Sequence, residues 1–398
     1  MDNSGRACAR VGDGAVTMGV EEEHFLVRAD TRAVVPAGPR VADRATGELG
    51  DLVCREFADL QVEVRTTPCA SAEELHAQLV RLRRALAASA VTEGVRACPA
   101  ATPVIGGGAG VPVGDHARYR AGVELFRSMM DDFAVCALHV HVFLPDRDVA
   151  ALAGNHVRVW LPLLVEMSAN SPFHDGRDTG FASWRSVMRL GFPCLGPPPY
   201  AESFDDYRRT AEAMADVGGM SFAELPFWDI RPHPHLPTLE VRCMDVPADP
   251  ADSVAIAAVV RALVVTSARL VGQGDPGPRR GGELLRAAYW YGTRDGWRGQ
   301  GVDPLSGRML PAPERARRLL DHIGAALEEL GDLERVTGFF DRLAVRGTGA
   351  DRQRAAHRTG GLHAVVDDLV TCMTDPGTGP GRHTTGTGTE TDRADAPT

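Results

Sequence analysis

The sequence predicts an α+β fold in which separated antiparallel strands combine with helices gathered between and after them. First, several short segments alternate polar and apolar residues at the two-residue period of a β-strand. Second, the chain from Asp249 to about Met373 has the pattern of successive helices. Third, the chain has 398 residues and is 44% apolar, which is enough for a sizeable core. The alternating segments are residues 19–23, 61–66, 138–142 and 238–245.

Strands are predicted where alternation or a short apolar run is bounded by turn-forming residues. They are expected at residues 15–28, 60–67, 100–105, 135–144, 222–230 and 238–245. The segment 30–50 is interpreted as a loop because Pro36 and Pro39 act as breakers. Gly106-Gly107-Gly108 lacks the spacing of a dinucleotide-binding fingerprint and is interpreted as a flexible loop.

Helices are predicted where apolar residues recur at helical spacing. They are expected at residues 71–94, near 116–119, at 148–170, at 202–217 and through most of 249–373. Ser71-Ala72-Glu73-Glu74 is a capping box that opens the first helix, and Pro162 is expected to kink the third. Residues 168–200 form the longest irregular segment, and its arginines favour a functional loop.

These elements predict one domain with two tails. Residues 1–14 are expected to be a flexible N-terminus, and residues 15–373 a single catalytic domain. Residues 374–398 are rich in Gly, Thr and Pro and have no large apolar residues. Such a composition cannot bury enough surface to fold, so this tail is expected to be disordered.

Composition restricts the classes of function. The formal charge of -10 argues against a nucleic-acid partner. All 43 basic side chains are arginine, which excludes a lysine-containing Walker loop and Schiff-base chemistry. The eight cysteines form no Cys-x-x-Cys pair, and the N-terminus lacks the apolar core of a signal peptide. The apolar helix near 253–271 is interrupted by Arg261 and falls short of a membrane span. A cytoplasmic protein that binds neither nucleic acid nor membrane is expected.

The strands carry acidic and arginine side chains at spacings that place them on one face of a sheet. Glu21 and Glu23 share a face while Glu22 points to the other, and Glu240 shares a face with Arg242. Several carboxylates on one buried face need cations or ionic partners to neutralise them. The pattern therefore indicates a magnesium-dependent site built across a sheet.

Each segment taken alone allows a simpler interpretation. His139 and His141 share a strand face and are typical of a metal pair, but hydrogen-bonded core histidines give the same pattern. Glu63 and the acidic triplet are also compatible with solvent-exposed strand charges. Glu240 and Arg242 are compatible with a surface ion pair that contributes little.

Taken together, the segments resemble the carboxylate–amine ligase family related to γ-glutamylcysteine synthetase, often named glutamate–cysteine ligase 2. Five stretches in the same order carry the resemblance, and their combination is specific. They are Gly19-Val20-Glu21-Glu22-Glu23-His24-Phe25-Leu26-Val27; Val62-Glu63-Val64-Arg65-Thr66; Leu138-His139-Val140-His141-Val142; Ser168-Ala169-Asn170-Ser171-Pro172-Phe173 with Gly176-Arg177-Asp178-Thr179-Gly180; and Arg231-Pro232-His233-Pro234 with Leu239-Glu240-Val241-Arg242.

The resemblance implies a glutamine-synthetase-like fold, in which a curved antiparallel sheet forms a funnel backed by helices. It also implies ATP and Mg²⁺ as reactants. In such ligases the carboxylate of an amino acid attacks the γ-phosphate of ATP to give an acyl phosphate. An amine then displaces phosphate and forms an amide. Glutamate and cysteine are the substrates that the family name suggests.

The resemblance further implies roles for individual residues. His139 is implied as a contact to metal or phosphate, and Arg242 as the arginine that stabilises the phosphoryl group, so both would bind the nucleotide. Arg177 and Arg185 are candidates for the substrate carboxylate or the leaving phosphate. The implied metal-binding carboxylates are Glu21, Glu23, Glu56, Glu63 and Glu240.

Two other functions stay open at this point. One is a metal-dependent hydrolase that uses His139 and His141, and the other is a binding module that keeps the funnel without activity. For the ligase, the expected partners are a small-molecule amino acid and an amine. A homodimer is left open.

Overall fold

The central element of the protein is a seven-stranded antiparallel sheet. The computed structural model describes residues 10–11, 14–108, 110–114, 117–217 and 227–374. The strands of the described residues, in the central sheet and in three two-stranded sheets, are β1 (Arg10–Val11), β2 (Gly14–Ala15), β3 (Met18–Arg28), β4 (Val53–Arg55), β5 (Gln61–Arg65), β6 (Val95–Cys98), β7 (Ala137–Phe143), β8 (Phe173–His174), β9 (Arg177–Asp178), β10 (Ile230–Pro232), β11 (Thr238–Asp245), β12 (Gln300–Asp303) and β13 (Arg308–Pro311).

Helices surround this sheet and form most of the C-terminal half. They are α1 (Gly38–Leu49), α2 (Ala72–Thr92), α3 (Ala117–Phe126), α4 (Arg147–Val157), α5 (Leu161–Ser168), α6 (Trp184–Leu190), α7 (Phe204–Val217), α8 (Pro250–Gly272), α9 (Gly282–Asp295), α10 (Ala312–Leu330), α11 (Leu333–Arg346) and α12 (Gly349–Thr374). The antiparallel sheet with helices between and after its strands confirms the predicted α+β class.

The sheet runs in the order β10-β11-β7-β3-β5-β4, and β6 pairs with the second half of β3. Strand β3 is therefore central, because its first half pairs with both β7 and β5. Strands β5, β6 and β7, which come from separate parts of the chain, thus pair with β3. Their side chains that point to the same face of the sheet become neighbours.

The two faces of the sheet differ in polarity. One face carries Val20, Leu138, Val140 and Val241, and it belongs to a large apolar core that includes the buried residues of α8. The alternating residues of the same strands point to the opposite face and are mostly charged. The polar face holds the candidate site.

Glu22 lies on the apolar face, as the alternation predicts, and pairs there with Arg83 of α2. Two hydrogen bonds of 2.8 and 2.7 Å join the guanidinium to the carboxylate, and neither side chain is exposed. Although burial acts to raise the pKa of Glu22, the Arg83 guanidinium holds it well below its usual range. This ion pair fixes α2 against the sheet and takes no part in the site.

Helix α8 is the one candidate membrane span by length and composition in the described part of the chain. Its most apolar window has a mean hydropathy of 2.0, and 72% of that window is buried. Arg261 in its middle donates to Asp332 at 2.5 Å and to the carbonyl of Ala70 at 2.8 Å. These contacts are those of a core helix, but the sequence interpretation that its length and composition fall short of a membrane span was wrong.

Some predicted elements were wrong. Residues 38–49 form helix α1, because Pro39 occupies the first turn, where proline is tolerated. Residues 100–105 form no strand, and the neighbouring strand is β6. The single helix predicted at 148–170 is two helices, with Pro162 in the first turn of the second.

Other predictions are met only in part or are untested. The irregular segment 168–200 contains the short hairpin β8–β9 and helix α6. Most of the strand predicted at 222–230 lies outside the described residues, and only its end contributes to β10. The tail at 375–398 also lies outside them, so its predicted disorder and the single-domain organisation stay predictions.

Candidate active site

Strand register assembles the polar face in three rows. Glu23 of β3 pairs with Glu63 of β5, which pairs with Cys54 of β4. Glu21 pairs with His139 of β7 in the next row. In the third row, His141 of β7 pairs with Glu240 of β11, which pairs with Arg231 of β10. The side chains named on these six strands therefore lie side by side on one face.

The two histidines contact the carboxylates of the neighbouring strands. His139 Nδ1 lies 3.0 Å from Glu21 Oε2, and its Nε2 lies 3.9 Å from Glu23 Oε1. His141 Nε2 lies 3.5 Å from Glu21 Oε1 and 3.9 Å from Glu240 Oε1. Burial, together with the Arg242 guanidinium, lowers the pKa of His139 to about 3. Its imidazole is consequently neutral near pH 7 and is able to act as a ligand.

Glu240 is held by two arginines. Arg231 Nε donates to its Oε2 at 2.8 Å, and Arg242 Nη1 donates to its Oε1. Burial alone would raise the pKa of Glu240, but Arg242 and Arg231 hold it well below its usual range. Glu240 is therefore a buried carboxylate that orients two guanidinium groups towards the cavity.

Glu23, Glu56 and Glu63 form a second group with the opposite electrostatics. Burial and the charge of Glu56 raise the pKa of Glu23 to about 8. Burial, together with the charges of Glu21 and Glu56, raises the pKa of Glu63 well above its usual value. Burial likewise raises the pKa of Glu56, which lies on the turn between β4 and β5. The cationic side chains around these three carboxyl groups are too few to neutralise all of them in the ionised form.

The donor atoms fit divalent cations. Glu21, His139 and Glu240 offer one set of ligand atoms within 4.8 Å of one another, and Glu23, Glu63 and His139 offer a second. Both sets are dominated by carboxylate oxygens, the ligands that Mg²⁺ prefers. The raised pKa values of Glu23 and Glu63 support this fit, because a bound cation would supply the missing positive charge.

A cavity of about 380 Å³ opens onto this face. Its polar side includes Glu21, Glu23, Glu63 and His139 of the sheet, and Glu240 adjoins it through Arg231 and Arg242. The opposite side is apolar and largely aromatic. The rings that line it belong to Phe57, Tyr119, Phe126, Phe133, Phe192 and Phe227.

Two arginines of α6 line the same cavity. Arg185 is fully buried and donates to the carbonyls of Cys243 and Arg242 at 3.0 and 3.1 Å. Arg189, one helical turn later, donates to Asp229 at 2.6 Å. Burial, together with Arg189, lowers the pKa of Arg185 to about 10, so the Arg185 guanidinium remains charged near pH 7.

Buried donors without a partner face this region. The Nε atoms of Arg185 and Arg242 have no hydrogen-bond partner among the described residues. A buried guanidinium donor is rarely left unpaired in a native protein. An anionic group of a ligand, such as a phosphate or a carboxylate, would satisfy both.

Comparisons with known proteins identify the family of this chain. A family model described as glutamate–cysteine ligase family 2 matches residues 17–368. The chain belongs to this family. A relative from Saccharopolyspora erythraea, named "Putative glutamate–cysteine ligase 2-2", is 41% identical over 369 residues, which is 92% of this chain and 94% of the relative. A relative of similar name from Nocardia farcinica is 40% identical and covers 89% of this chain and 92% of its own length.

Solved structures confirm the fold. A glutamate–cysteine ligase from Francisella tularensis, crystallised with AMP, has a TM-score of 0.64 at 13% identity and covers 90% of this chain and 89% of its own. A bifunctional glutathione synthetase from Pasteurella multocida has a TM-score of 0.65 at 16% identity, covering 90% of this chain and 52% of its own. The predicted ligase-type sheet backed by helices is thereby confirmed for this member of glutamate–cysteine ligase family 2.

The structure brings together nearly all the residues that sequence reasoning selected. The five carboxylates, His139, Arg242 and Arg185 lie in or directly beside the cavity. Arg177 is the exception, because it is exposed on the β8–β9 hairpin, where its guanidinium lies 5.9 Å from the Trp184 ring. Arg177 is therefore not proposed as a contact of the substrate carboxylate or the leaving phosphate.

Sequence reasoning missed several residues that line the cavity. Arg189 stands four positions after Arg185, a helical spacing that would have revealed it. Arg231 begins the Arg-Pro-His-Pro stretch, but its pairing with Glu240 depends on the register of β10 and β11. The aromatic residues come from separate segments and had no common sequence pattern.

Proposed function

We propose that this protein is an ATP- and Mg²⁺-dependent ligase that joins an amino-acid carboxylate to an amine through an acyl phosphate. The observation that carries the proposal is the meeting of Glu21, Glu63, His139 and Arg242 around one cavity. Membership of glutamate–cysteine ligase family 2 supports it and makes glutamate and cysteine the first pair to test. A small-molecule enzyme of the bacterial cytoplasm is part of the same proposal.

The charge arrangement suits this chemistry. ATP and a substrate carboxylate repel each other, so an active site must screen both. Glu21, His139 and Glu240 would hold one Mg²⁺, and Glu23 and Glu63, with Glu56 beside them, would hold another. When bound, Mg²⁺ neutralises phosphate charge and aligns the triphosphate. Arg242, fixed by Glu240, would stabilise the transferred phosphoryl group.

The reaction proposed for this site has two steps. A carboxylate oxygen of the donor bonds to the γ-phosphorus, and the bond to the β,γ-bridging oxygen breaks to release ADP. The amine nitrogen then bonds to the acyl carbon, and the carbon–oxygen bond to phosphate breaks. The nitrogen loses one proton, which the departing phosphate takes up. Positioning supplies most of the catalysis in such transfers.

The hydrolase alternative has weaker support. A catalytic zinc site would require imidazole nitrogens as principal ligands. Here His139 is joined to Glu21, and the surrounding donors are mostly carboxylates. The relatives carry ligase names as well. The inactive binding module also has little support, because all five carboxylates are kept at the cavity.

A substrate-pool assay tests the proposal. The purified protein is incubated with MgATP and pools of amino acids and amines, and products are identified by mass spectrometry together with ADP release. ADP release that depends on both an acid and an amine, with an amide of the matching mass, is expected. ATP-independent turnover, or no product with any pair, would contradict the proposal. Tight zinc in the purified protein would favour the hydrolase instead.

A further inference from the structure

The aromatic side of the cavity has a continuous apolar surface that the proposed phosphoryl chemistry does not use. Phe192 packs edge-to-face against Phe126 at 4.9 Å and against Phe133 at 4.7 Å between ring centroids. Phe57 and Tyr119 form a second edge-to-face pair at 5.1 Å. All five rings line the cavity. We call Phe126, Phe133 and Phe192 the aromatic wall.

The aromatic wall is connected to the acidic end of the cavity. Phe133 lies two residues before Val135, whose carbonyl accepts a hydrogen bond from Gln61 of β5. The next strand residue on this side, Ala137, donates its N–H to Glu23 at 2.8 Å. The wall is thus held by the same backbone segments that hold the carboxylates.

Two of the cavity arginines belong to other elements. Arg231 and Arg242 lie on β10 and β11, and each guanidinium lies 5.8 Å from the Phe227 ring. An anionic group, such as a phosphate or the donor carboxylate, is attracted to these arginines. Glu56 lines the cavity next to Phe57 and belongs to neither set of candidate metal ligands, so it is the carboxylate left to attract a cationic ammonium when Glu23 and Glu63 hold Mg²⁺. Charge complementarity therefore separates an anion-binding end from an end that favours an amine.

We propose that the cavity takes an acceptor amine with an apolar, aromatic-sized side chain, whose body packs on the aromatic wall and whose nitrogen points to Glu56. The inference rests on the proposed ligase function and specifies its substrate class. A small polar amine would leave the phenylalanine rings in contact with water, whereas an apolar amine buries them. This chemistry favours an apolar amine over cysteine.

Catalytic preference gives the first test. With glutamate as donor, the wild type is given 2-phenylethylamine, isopentylamine, ethanolamine and cysteine at equal concentrations. Since one or two buried methylene groups change specificity about 10–200-fold, kcat/KM for the two apolar amines should exceed that for ethanolamine by at least tenfold. Equal values for all four amines, or a preference for the polar ones, would overturn the inference.

Variants of the aromatic wall identify its occupant. Phe192→Ala should lower kcat/KM for 2-phenylethylamine about tenfold or more while leaving ethanolamine turnover and the KM for ATP nearly unchanged. Leu125→Gln, at a cavity residue that is 37% exposed, provides a milder variant should Phe192→Ala fold poorly. Trp290→Ala, which alters an exposed ring that does not line the cavity, is the matched control. A raised KM for ATP in Phe192→Ala would mean that the wall binds adenine, and would contradict the inference.

A binding measurement separates this inference from the ligase proposal. Calorimetric titration of 2-phenylethylamine into the protein with Mg²⁺ and a non-hydrolysable ATP analogue requires no turnover. Binding that Phe192→Ala weakens would support the inference even when no ligation is found. Ligation of polar amines without binding of the apolar amine would overturn the inference and leave the ligase proposal standing.

Discussion

At the scale of single residues, Glu240 shows how a buried carboxylate acts through its neighbours. It is 1% exposed and accepts hydrogen bonds from both Arg231 and Arg242. Its charge fixes two guanidinium groups on the cavity side of the sheet. Removing one partner of such a buried pair leaves the remaining charges uncompensated.

Glu240→Gln is therefore expected to reduce turnover about 10²–10³-fold, because Arg242 loses the partner that preorganises it. Steady-state ADP release measures the effect, and circular dichroism checks that the variant is folded. Glu48→Gln, a change at an exposed glutamate of α1, should keep wild-type turnover. Near-wild-type activity of Glu240→Gln would remove Glu240 from the proposed site.

Residue-level prediction from sequence succeeded where strand alternation fixes direction. Glu21, Glu23, Glu63 and His139 point to the polar face, whereas Glu22 points to the core and pairs with Arg83. Alternation could not reveal that Arg177 lies away from the cavity. The direction of a loop side chain depends on the packing of the whole segment and not on a local period.

At the scale of elements, helix α1 shows where pattern reasoning failed. Pro39 predicts a loop when it is treated as a breaker, yet proline fits the first turn of a helix. Val41, Ala45 and Leu49 recur at helical spacing and are buried. Because the composition of the segment is largely polar and small, its apolar periodicity stands out weakly beside its turn-forming residues.

Helices α5 and α9 approach so closely that Gly292 of α9 leaves little room for a side chain. A Cβ atom on Gly292 would lie 3.0 Å from Glu166 Oε1 and 3.1 Å from the carbonyl of Pro162. Gly324 of α10 has nothing within 4 Å of the equivalent position. Gly292→Ala should lower the free energy of unfolding by about 1–3 kcal/mol. Gly324→Ala should raise it by about 0.5–1 kcal/mol.

Urea denaturation of both variants measures these changes. The pair is matched, since each substitution adds one methyl group inside a helix. Equal effects of the two substitutions would mean that the close contact between α5 and α9 does not limit packing.

The ion pair between Glu166 of α5 and Arg315 of α10 predicts a pH dependence. Burial raises the pKa of Glu166 to about 7, although Arg315 acts in the opposite direction. A carboxyl group whose pKa is higher in the folded state than in the unfolded state contributes its full stabilisation at pH values below the unfolded-state pKa. This contribution is lost as the pH rises through the folded-state pKa. Between pH 5 and 8, the wild type should lose on the order of 2–3 kcal/mol more stability than Glu166→Gln.

Urea denaturation at several pH values tests this difference. The exposed variant Glu48→Gln should follow the wild-type profile across the whole range. Parallel profiles for the wild type and Glu166→Gln would show that Glu166 stays ionised beside Arg315.

At the scale of the whole molecule, the site exists because the topology brings distant segments onto β3. Strands β4 and β5 follow β3 closely in the chain, whereas β7 and β11 are more than 100 residues away. The family resemblance made this convergence predictable, since the acidic strands occur in a specific order. The aromatic wall was not predictable, because Phe126, Phe133 and Phe192 become neighbours only after the loops around α3 and α6 have packed.

Bringing these carboxylates together opposes folding in the absence of a cation. Glu63 is 7% exposed and lies near Glu21 and Glu56, whose charges, after burial, raise its pKa. Without a cation, the folded chain must either protonate Glu63 or tolerate repulsion. Glu63→Gln removes this conflict, so the unfolding free energy in chelator should rise by about 0.5–2 kcal/mol. The same change should weaken Mg²⁺ binding about 10–100-fold.

Chemical denaturation with chelator and with Mg²⁺, combined with calorimetric Mg²⁺ titration, measures both effects on one variant. Glu48→Gln should leave stability and Mg²⁺ affinity unchanged. A variant that is less stable in chelator and binds Mg²⁺ normally would show that Glu63 serves the fold and not the cation. A variant that is more stable without a cation and binds Mg²⁺ more weakly is expected only when the strands are assembled around a bound cation. The positive charge of that cation is one that the side chains of the site do not supply.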